Sequence, residues 1–502
     1  MKILAMYLPQ FHKVKENDEW WGEGFTDWIS TRNAKPICED HYQPHIPLGE
    51  NYYDLMNPDT LKWQADLMKK YGVDGLCFYH YYFKDGRKIL ERPAELLLDN
   101  SDIDMPFCFY WANESWKRSW SNVPNANVWN MEAATENKSN GNGLLLDQQY
   151  GELDDWIEHF NYMLPFFLDD RYIKVDGKPL FLIYRTSQIP CLESMITCFR
   201  EQAKKHGFPD IYIIGAYAKK SSLEFLDGFL YHEPPQTLSS FRGGGVGETE
   251  YSISYDRIIE SVLAEPVVSG VDTYFSCFTG FDDTPRRGKK GNALIDATPS
   301  KYQTFLAKTM AKNEVAGNDI TFVNAWNEWG EGMHLEPDQK YEFGFLEATK
   351  NAKNMYKTFL ESERSQLFDS SKENFQYLQE KADKFEYYVN IFHRWMELRE
   401  NGISICDYLR KYNLNTVAIY GLGMFGKHLY WELTNKGMDV SYIIDRQGSS
   451  LDPNLTIYLP EDDFPECDVI IVTPFWIYDQ IKKVLGDGKN IIPLDEIICN
   501  IQ

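Results

Sequence analysis

The sequence lacks the marks of several large classes of protein. Its 502 residues include 51 Lys and Arg against 75 Asp and Glu, which gives a formal net charge of −24. Because there is no excess of positive charge to replace phosphate counterions, nucleic acid and anionic lipid are not expected as partners. No apolar run approaches the roughly 18 residues that a membrane-spanning helix requires, so we expect no membrane span.

Cysteine is sparse and scattered. The nine cysteines form no C-x-x-C pair, and several lie inside apolar runs, so neither a zinc site nor a disulfide framework is expected. The apolar run at the N-terminus is too short for the hydrophobic region of a signal peptide, and polar residues follow it at once. These features favour a reduced, cytoplasmic setting and predict no metal site.

Aromatic residues, by contrast, are abundant. They make up 15% of the chain, and seven of the 14 tryptophans lie in the first 120 residues. Flat aromatic faces suit sugars, because the C–H surfaces of a sugar ring are apolar while its rim forms hydrogen bonds. This pattern favours a carbohydrate site, with an aromatic-rich core as the alternative.

Residues 1–350 alternate short apolar runs with amphipathic stretches of helical period, which is typical of βα units in a parallel sheet. Eight predicted strands indicate an α/β fold, a (β/α)8 TIM barrel, and an open doubly wound sheet is the competing topology. The predicted strands are Ile3–Leu8, Gly75–Tyr79, Phe107–Tyr110, Leu180–Tyr184, Ile211–Gly215, Gly228–Tyr231, Thr273–Phe278 and Ile320–Ala325; the predicted helices are Asp59–Tyr71, Asp154–Leu168, Cys191–His206 and Ser300–Lys312.

Segments rich in Tyr, His, Trp, Asn and Glu follow five of the predicted strands. In a barrel the carboxyl ends of the strands meet at one face, where active sites lie. Polar and aromatic groups on loops also indicate function better than core residues do. We therefore expect a site at this face, built from Pro9–His12, His80–Tyr82, Trp111–Glu114, Tyr231–Glu233 and Trp326–Gly332.

The last of these segments carries two carboxylates, Glu328 and Glu331, between tryptophans and glycines. At a spacing of three residues a helical turn directs both side chains to one side, and the glycines permit a tight turn. Two carboxylates in one aromatic pocket do not ionise independently, so one is expected to have a raised pKa and to act as an acid. An acid beside a base suits glycosidic bond chemistry; a Mg²⁺ or Ca²⁺ site and an exposed acidic turn are the alternatives.

Beyond residue 350 the composition changes to that of a charged helix. Residues 351–402 are predicted to form a helical linker with a narrow apolar seam. The seam favours docking on the barrel or on a neighbouring helix, and self-association into a homodimer is the alternative. Its members are Phe375, Leu378, Ala382, Phe385, Val389, Phe392 and Met396.

Residues 403–502 contain the pattern G-x-G-x-x-G, formed by Gly421, Gly423 and Gly426, between a predicted strand and a helix. Asp445 follows at the end of the next predicted strand. This is the dinucleotide fingerprint, with phosphate at the helix N-terminus and the acid on a ribose. The remaining length predicts a small Rossmann-like half-domain, and nucleotide is the expected ligand.

Six stretches of the first 340 residues resemble the WbsX-like proteins of bacterial surface-polysaccharide loci, which are distant relatives of glycoside hydrolase family 99. The stretches are YLPQFH (7–12), NDEWWGEGFTDW (17–28), HYQPHIP (41–47), YGVDGLCFYHYYF (71–83), FCFYWANESW (107–116) and WNEWGEGMHLEP (326–337). The resemblance implies a (β/α)8 barrel in residues 1–350 that acts on a glycan without a cofactor.

The hydrolase relationship implies retaining cleavage of an internal α-mannosidic linkage. Glu328 would then act as a base toward the 2-hydroxyl of the substrate, and Glu331 as the general acid/base. The sequence departs from those hydrolases at Gly330, where they tend to carry a larger residue. The candidate substrate-binding residues are Tyr7, His12, Trp20, Trp21, His80, Trp111, Asn113, Glu114, Trp326, Asn327 and Trp329.

Two other functions remain open from the sequence. WbsX-like proteins are commonly labelled glycosyltransferases, which implies O-antigen or capsular polysaccharide assembly with a nucleotide-sugar or lipid-linked donor. A non-catalytic scaffold that senses glycan or nucleotide within a polysaccharide-assembly complex is the third reading.

Overall fold

The computed structural model describes residues 1–38, 41–117, 144–241, 252–288, 291–365, 387–445, 455–486 and 488–501. The chain divides into two compact units, Met1–Ser371 and Lys372–Gln502. Within the described ranges, no helix combines the length and the apolar character that crossing a membrane requires. The predicted boundaries at 350 and 402 stay predictions.

The first unit is a closed barrel of eight parallel strands, which confirms the predicted fold and excludes the open sheet. Each strand pairs with its neighbours in chain order, and β1 closes the ring by pairing with both β2 and β8. The strands are β1 (Lys2–Tyr7), β2 (Gly75–Tyr82), β3 (Phe107–Trp111), β4 (Lys178–Ile183), β5 (Tyr212–Ala216), β6 (Gly228–Tyr231), β7 (Asp272–Phe278) and β8 (Ile320–Asn324).

α-Helices follow seven of these strands, and a 3₁₀ helix, Lys220–Phe225, follows β5. The helical segments have the required period, and several have end signals. The helix Pro58–Tyr71, for example, begins where the Asn57 side chain accepts from the N–H of Asp59, and it ends at Gly72, which adopts a left-handed conformation. The larger helices of this unit are Pro58–Tyr71, Arg92–Asp99, Leu153–Leu168, Leu192–Lys205, Tyr255–Ala264, Pro299–Val315 and Gly344–Met355; the shorter ones are Lys15–Trp21, Asp27–Asn33, Pro235–Phe241 and Thr284–Arg287.

Both faces of the barrel strands are covered, so their side chains are apolar almost without interruption. In β4, for instance, the five residues after Lys178 are all buried. This continuous burial is why the apolar runs in the sequence located all eight strands. It also fixes the carboxyl ends of the strands as one rigid rim.

The second unit contains a parallel sheet of five short strands in the order β11-β10-β9-β12-β13. From the length of residues 403–502, the sequence predicted only half of a doubly wound domain. The sheet nevertheless extends on both sides of β9, because its strands are only two to five residues long. The strands are β9 (Val417–Tyr420), β10 (Val440–Ile444), β11 (Ile457–Tyr458), β12 (Val469–Val472) and β13 (Ile491–Pro493); the helices are Ile405–Lys411, Met424–Asn435, Tyr478–Leu485 and Leu494–Asn500.

Only part of the predicted apolar seam lies in the described residues. Phe392 and Met396 pack against the core of the second unit, whereas Val389 is exposed. The described part of this helix therefore docks on its own unit. The seam positions Phe375, Leu378, Ala382 and Phe385 lie outside the described residues.

Candidate active site

A cavity of about 610 Å³ lies at the carboxyl ends of the barrel strands, at the face that the sequence predicted. Its wall combines aromatic rings with charged side chains. The aromatic members are Trp21, Phe25, Tyr79, Tyr81, Trp116, Tyr184, Tyr217 and Phe281; the charged members are Asp27, Glu114, Arg185, Asp283, Arg286, Arg287, Glu328 and Glu331.

Glu328 and Glu331 reach the cavity from the turn that follows β8. A short 3₁₀ turn, Trp329–Glu331, begins directly after Glu328, and Gly332 ends it with a φ of +64°. Both carboxyl groups line the cavity. Glu328 is 6% exposed, whereas the side chain of Glu331 is 26% exposed, so the two acids stand in different environments.

Arg286, on the helix that follows β7, joins three carboxylates. Its Nη1 donates to Glu331 Oε1 at 2.5 Å, and its Nη2 donates to Glu328 Oε2 at 3.2 Å. The guanidinium also grips Asp27, with Nε 3.2 Å from Oδ1 and Nη2 3.1 Å from Oδ2. The guanidinium of Arg286 therefore forms ion pairs with three carboxyl groups in a site that is partly shielded from water.

Burial, together with the nearby charges of Glu331 and Asp27 and against the opposing effect of Arg286, raises the pKa of Glu328 to about 8. Glu328 is therefore largely protonated at neutral pH. One of the two paired acids thus has a raised pKa, as their pairing predicted. It is Glu328, however, to which the resemblance gives the role of base, so the expectation that the acid with the raised pKa donates the proton stays untested.

The loop that carries these acids is braced by a third one. Glu336 is buried and accepts hydrogen bonds from Tyr53, Gln64 and the indole N–H groups of Trp326 and Trp329, at 2.7 to 2.9 Å. Burial raises the pKa of Glu336 to about 7 even though these donors lower it. Both tryptophans are consequently core residues rather than members of the cavity wall.

Asn327 also supports the loop instead of lining the cavity. Its side chain accepts from the N–H of Leu8 at 2.8 Å and donates to the carbonyl of Leu8 at 3.0 Å. This pair of bonds ties the turn after β8 to the end of β1. Trp326, Asn327 and Trp329 thus hold the acids in place.

Five further candidates do not line the cavity. Three of them, Tyr7, His80 and Trp111, lie on barrel strands, where alternate residues point away from the interior of the site. Tyr7 donates to Gln64; His80 is paired with His159. The remaining three are Trp111, which donates to the carbonyl of Tyr82; His12, which is bonded to the carbonyl of Pro9; and Trp20, which packs against Trp116.

Two other candidates, Trp21 and Glu114, do reach the cavity. Glu114 accepts from Arg185 Nε at 2.9 Å. Asn113 is buried, does not line the cavity, and exchanges two hydrogen bonds with the backbone of Arg185. Arg185 in turn lies over the ring of Tyr217 at 3.9 Å, which forms a second charged and aromatic cluster.

Sequence reasoning missed five charged residues of the wall, which are Asp27, Arg185, Asp283, Arg286 and Arg287. Asp27 lies within one of the resembling stretches, and Arg185 follows β4 directly. Arg286 follows β7 in a segment of irregular pattern, so only its place after a barrel strand could have indicated it. Within the described ranges, no group of three or more His, Cys, Asp and Glu side chains is arranged to hold a metal ion.

The second unit has its own cavity, of about 950 Å³, around the glycine-rich loop. Gly421 has a φ of +90°, and a Cβ on Gly426 would lie 2.0 Å from the carbonyl oxygen of Gly421, so both positions require glycine. Gly423 differs: its φ is −67°, and a Cβ there would meet nothing within 4 Å. Asp445 accepts from the N–H of Leu422 at 2.6 Å.

The first unit is thus a (β/α)8 barrel whose cavity is lined by acidic and aromatic side chains. The chain belongs to the family described as Glycosyltransferase WbsX, whose model matches residues 3–349. This confirms the resemblance seen in the sequence.

Relatives and solved structures extend the comparison. The uncharacterised protein WxcX from two strains of Xanthomonas campestris pv. campestris is 30% identical over 365 residues, which is 70% of this chain and 49% of the relative. The chain thus spans about half the length of these curated relatives.

Among solved structures, a family 99 endo-α-mannosidase from Bacteroides thetaiotaomicron matches 71% of this chain and 97% of its own, at 15% identity and a TM-score of 0.42. A glycoside hydrolase-like protein matches 70% of this chain and 93% of its own, at 12% identity and a TM-score of 0.41.

Proposed function

We propose that the barrel is a glycan-processing enzyme in which Glu328 and Glu331 perform acid/base chemistry on a glycosidic bond. The observation that carries this proposal is the shared site of the two acids, joined through Arg286 on the wall of an aromatic cavity. Its volume of about 610 Å³ lies within the usual range of ligand pockets, about 300–1,000 Å³. Membership of a family described as glycosyltransferases supports a glycan as substrate.

The finer proposal is retaining cleavage of an α-mannosidic linkage in a bacterial surface polysaccharide or its precursor. Glu328 acts as the base toward the 2-hydroxyl, and Glu331 as the general acid/base. A carboxylate whose conjugate acid has a pKa of about 8 is a stronger base than an ordinary one. The environment of Glu328 supports this role once its proton has left.

The second candidate function is glycosyl transfer, which the family description favours. Charge weighs against an anionic donor in the barrel. Among the described residues of the wall, four carboxyl groups besides the protonated Glu328 stand against three arginines, and such a site repels a pyrophosphate more than a neutral glycan. We therefore place hydrolysis first.

The second unit is proposed to bind a nucleotide, while the barrel chemistry needs no cofactor. Neither backbone conformation nor packing requires glycine at position 423, so its missing side chain fits the close approach of a phosphate group. Lys427 and His428 line the same cavity and carry side chains that suit an anion.

The setting proposed for the enzyme is the cytoplasm, where polysaccharide precursors are assembled. Its partners are an oligo- or polysaccharide and either a second copy of the chain or a polysaccharide-assembly complex. A non-catalytic sensor of glycan or nucleotide is the outcome to which a failed activity test would point.

The test is a screen of surface polysaccharides and oligosaccharides for cleavage and transfer together, with proton NMR reporting the anomeric configuration of the first product. Glu328→Gln and Glu331→Gln are expected to abolish the activity, and Glu347→Gln, an exposed carboxyl on the helix Gly344–Met355, to retain it. Retention of the anomeric configuration supports the finer proposal. Full activity in either cavity variant contradicts the assignment.

A further inference from the structure

Gly330 lacks a side chain at a place where its neighbours leave no room for one. The φ angle of Gly330 is not positive, so residues other than glycine can adopt its backbone conformation. Space is the constraint: a Cβ on Gly330 would lie 2.6 Å from Asp27 Oδ2 and 2.8 Å from Arg286 Nε. The missing side chain leaves room for the ion pair between Asp27 and Arg286.

Asp27 is fixed at the base of this arrangement. It is buried, and its Oδ2 accepts from the N–H of Gly330 at 3.2 Å as well as from Arg286. Its grip on one edge of the planar guanidinium leaves N–H groups on Nη1 and Nη2 directed at Glu331 and Glu328. The anchoring of Arg286 thus sets the position of both acids.

We propose that Arg286, anchored by Asp27 in the space that Gly330 leaves open, is a positioning residue that holds Glu328 and Glu331 in one fixed arrangement for the glycosidic chemistry. The inference rests on the proposed function for its catalytic meaning. Two neighbouring carboxylates repel each other, and a shared cation offsets this repulsion. Lysine would not replace Arg286, since a single ammonium group lacks the planar fork.

Among the described residues that act on Glu328, Arg286 carries the positive charge. Asp27 and Glu331 are negative and raise its pKa, and Arg286 lowers it. Tyr79 and Tyr81 also face it, and burial holds their phenols neutral by raising their pKa well above the usual value. Loss of Arg286 therefore shifts the ionisation of Glu328 in one direction only.

An infrared titration tests the inference without any substrate. The carbonyl stretch of protonated Glu328 is assigned as the band that Glu328→Gln lacks, and its loss is followed as the pH rises. In Arg286→Gln the ionisation constant of Glu328 should fall at least ~10-fold, because an adjacent opposite charge shifts a pKa by about 1–3 units. Arg185→Gln, which neutralises the other arginine cluster of the cavity, should leave this titration unchanged.

Gly330→Ala provides the second arm and covers an Arg286→Gln variant that does not fold. It alters no charged group, yet its Cβ displaces the Asp27–Arg286 pair, so the Glu328 titration should move in the same direction. A wild-type titration in both variants, or in Gly330→Ala alone if the other variant is unfolded, would overturn the inference.

An activity arm separates this inference from the proposed function. On a glycan that the wild type processes, Arg286→Gln should lower kcat with little change in KM, and the alkaline shift of its pH profile should match the shift in the titration. A loss of activity with an unshifted profile contradicts positioning. If the wild type processes no glycan, the proposed function fails, while the titration still decides whether Arg286 governs the acid pair.

Discussion

Replacing Glu328 by Gln is expected to stabilise the barrel unit increasingly as the pH rises. The carboxyl loses its proton near its ordinary value of 4.5 in the unfolded chain but near 8 in the folded protein. Between these values the folded state binds more protons than the unfolded state. The free energy of unfolding of the wild type therefore falls with rising pH through this window, and the Gln variant lacks this contribution.

The magnitude follows from the two pKa values. From about pH 5 to about pH 7, the linkage lowers the stability of the wild type by roughly 2–3 kcal/mol relative to Glu328→Gln. In a unit of this size, a change of that order moves Tm by about 3–4 °C. The gain is nearly absent at about pH 3.5, where the carboxyl is largely protonated in both states.

The assay is thermal unfolding followed by near-ultraviolet circular dichroism at a series of pH values. Glu347→Gln removes an exposed carboxyl and corrects for the loss of one charge outside the cavity. The reasoning is refuted if the Tm difference between Glu328→Gln and the wild type stays constant over the series, because Glu328 would then ionise alike in the folded and unfolded states.

Three further predictions address the site, its support and the second unit. The kcat/KM of the wild type on its glycan should rise with pH through about 8, since Glu328 must be deprotonated to act as a base; a fall through that pH in a pH–rate profile would assign it as the acid. Glu336→Leu should destabilise the barrel by about 3–5 kcal/mol in denaturant unfolding, because it leaves four buried donors unpaired, and an unchanged midpoint would contradict the bracing role. Gly426→Ala should destabilise the second unit, since its Cβ meets the carbonyl of Gly421, whereas Gly423→Ala should leave its Tm unchanged and weaken binding of a nucleotide in calorimetry. If both substitutions lowered Tm equally, position 423 would require glycine for folding, and the absence of a side chain there would not indicate a bound phosphate.

The barrel was accessible from the sequence because each strand is an apolar run covered on both faces. All eight runs became strands, and the turn after β8 brought Glu328 and Glu331 to the cavity as their spacing predicted. Side-chain direction was less accessible. Trp326 and Trp329 flank the acids in sequence, yet their indoles turn inward to Glu336, and only the three-dimensional path of the loop decides this.

Contacts between distant segments were also beyond the sequence. Asp27 and Arg286 are separated by 259 positions, and neither stands in a pattern that marks it as a partner of the other. Their ion pair fills the space beside Gly330, and no pattern in the sequence indicated that this position must lack a side chain. The reason for a glycine at this position becomes visible only when the side chains that occupy the space of its Cβ are known.

The most direct test of the central claim is the rate of glycan processing by Glu331→Gln, measured on the glycan that the wild type converts. General acid/base catalysis typically contributes about 10²–10⁴-fold, so the variant is expected to lose at least ~100-fold in kcat while its Tm stays within a few degrees of the wild type. A folded Glu331→Gln protein with the wild-type rate would contradict the claim that this carboxyl takes part in the reaction.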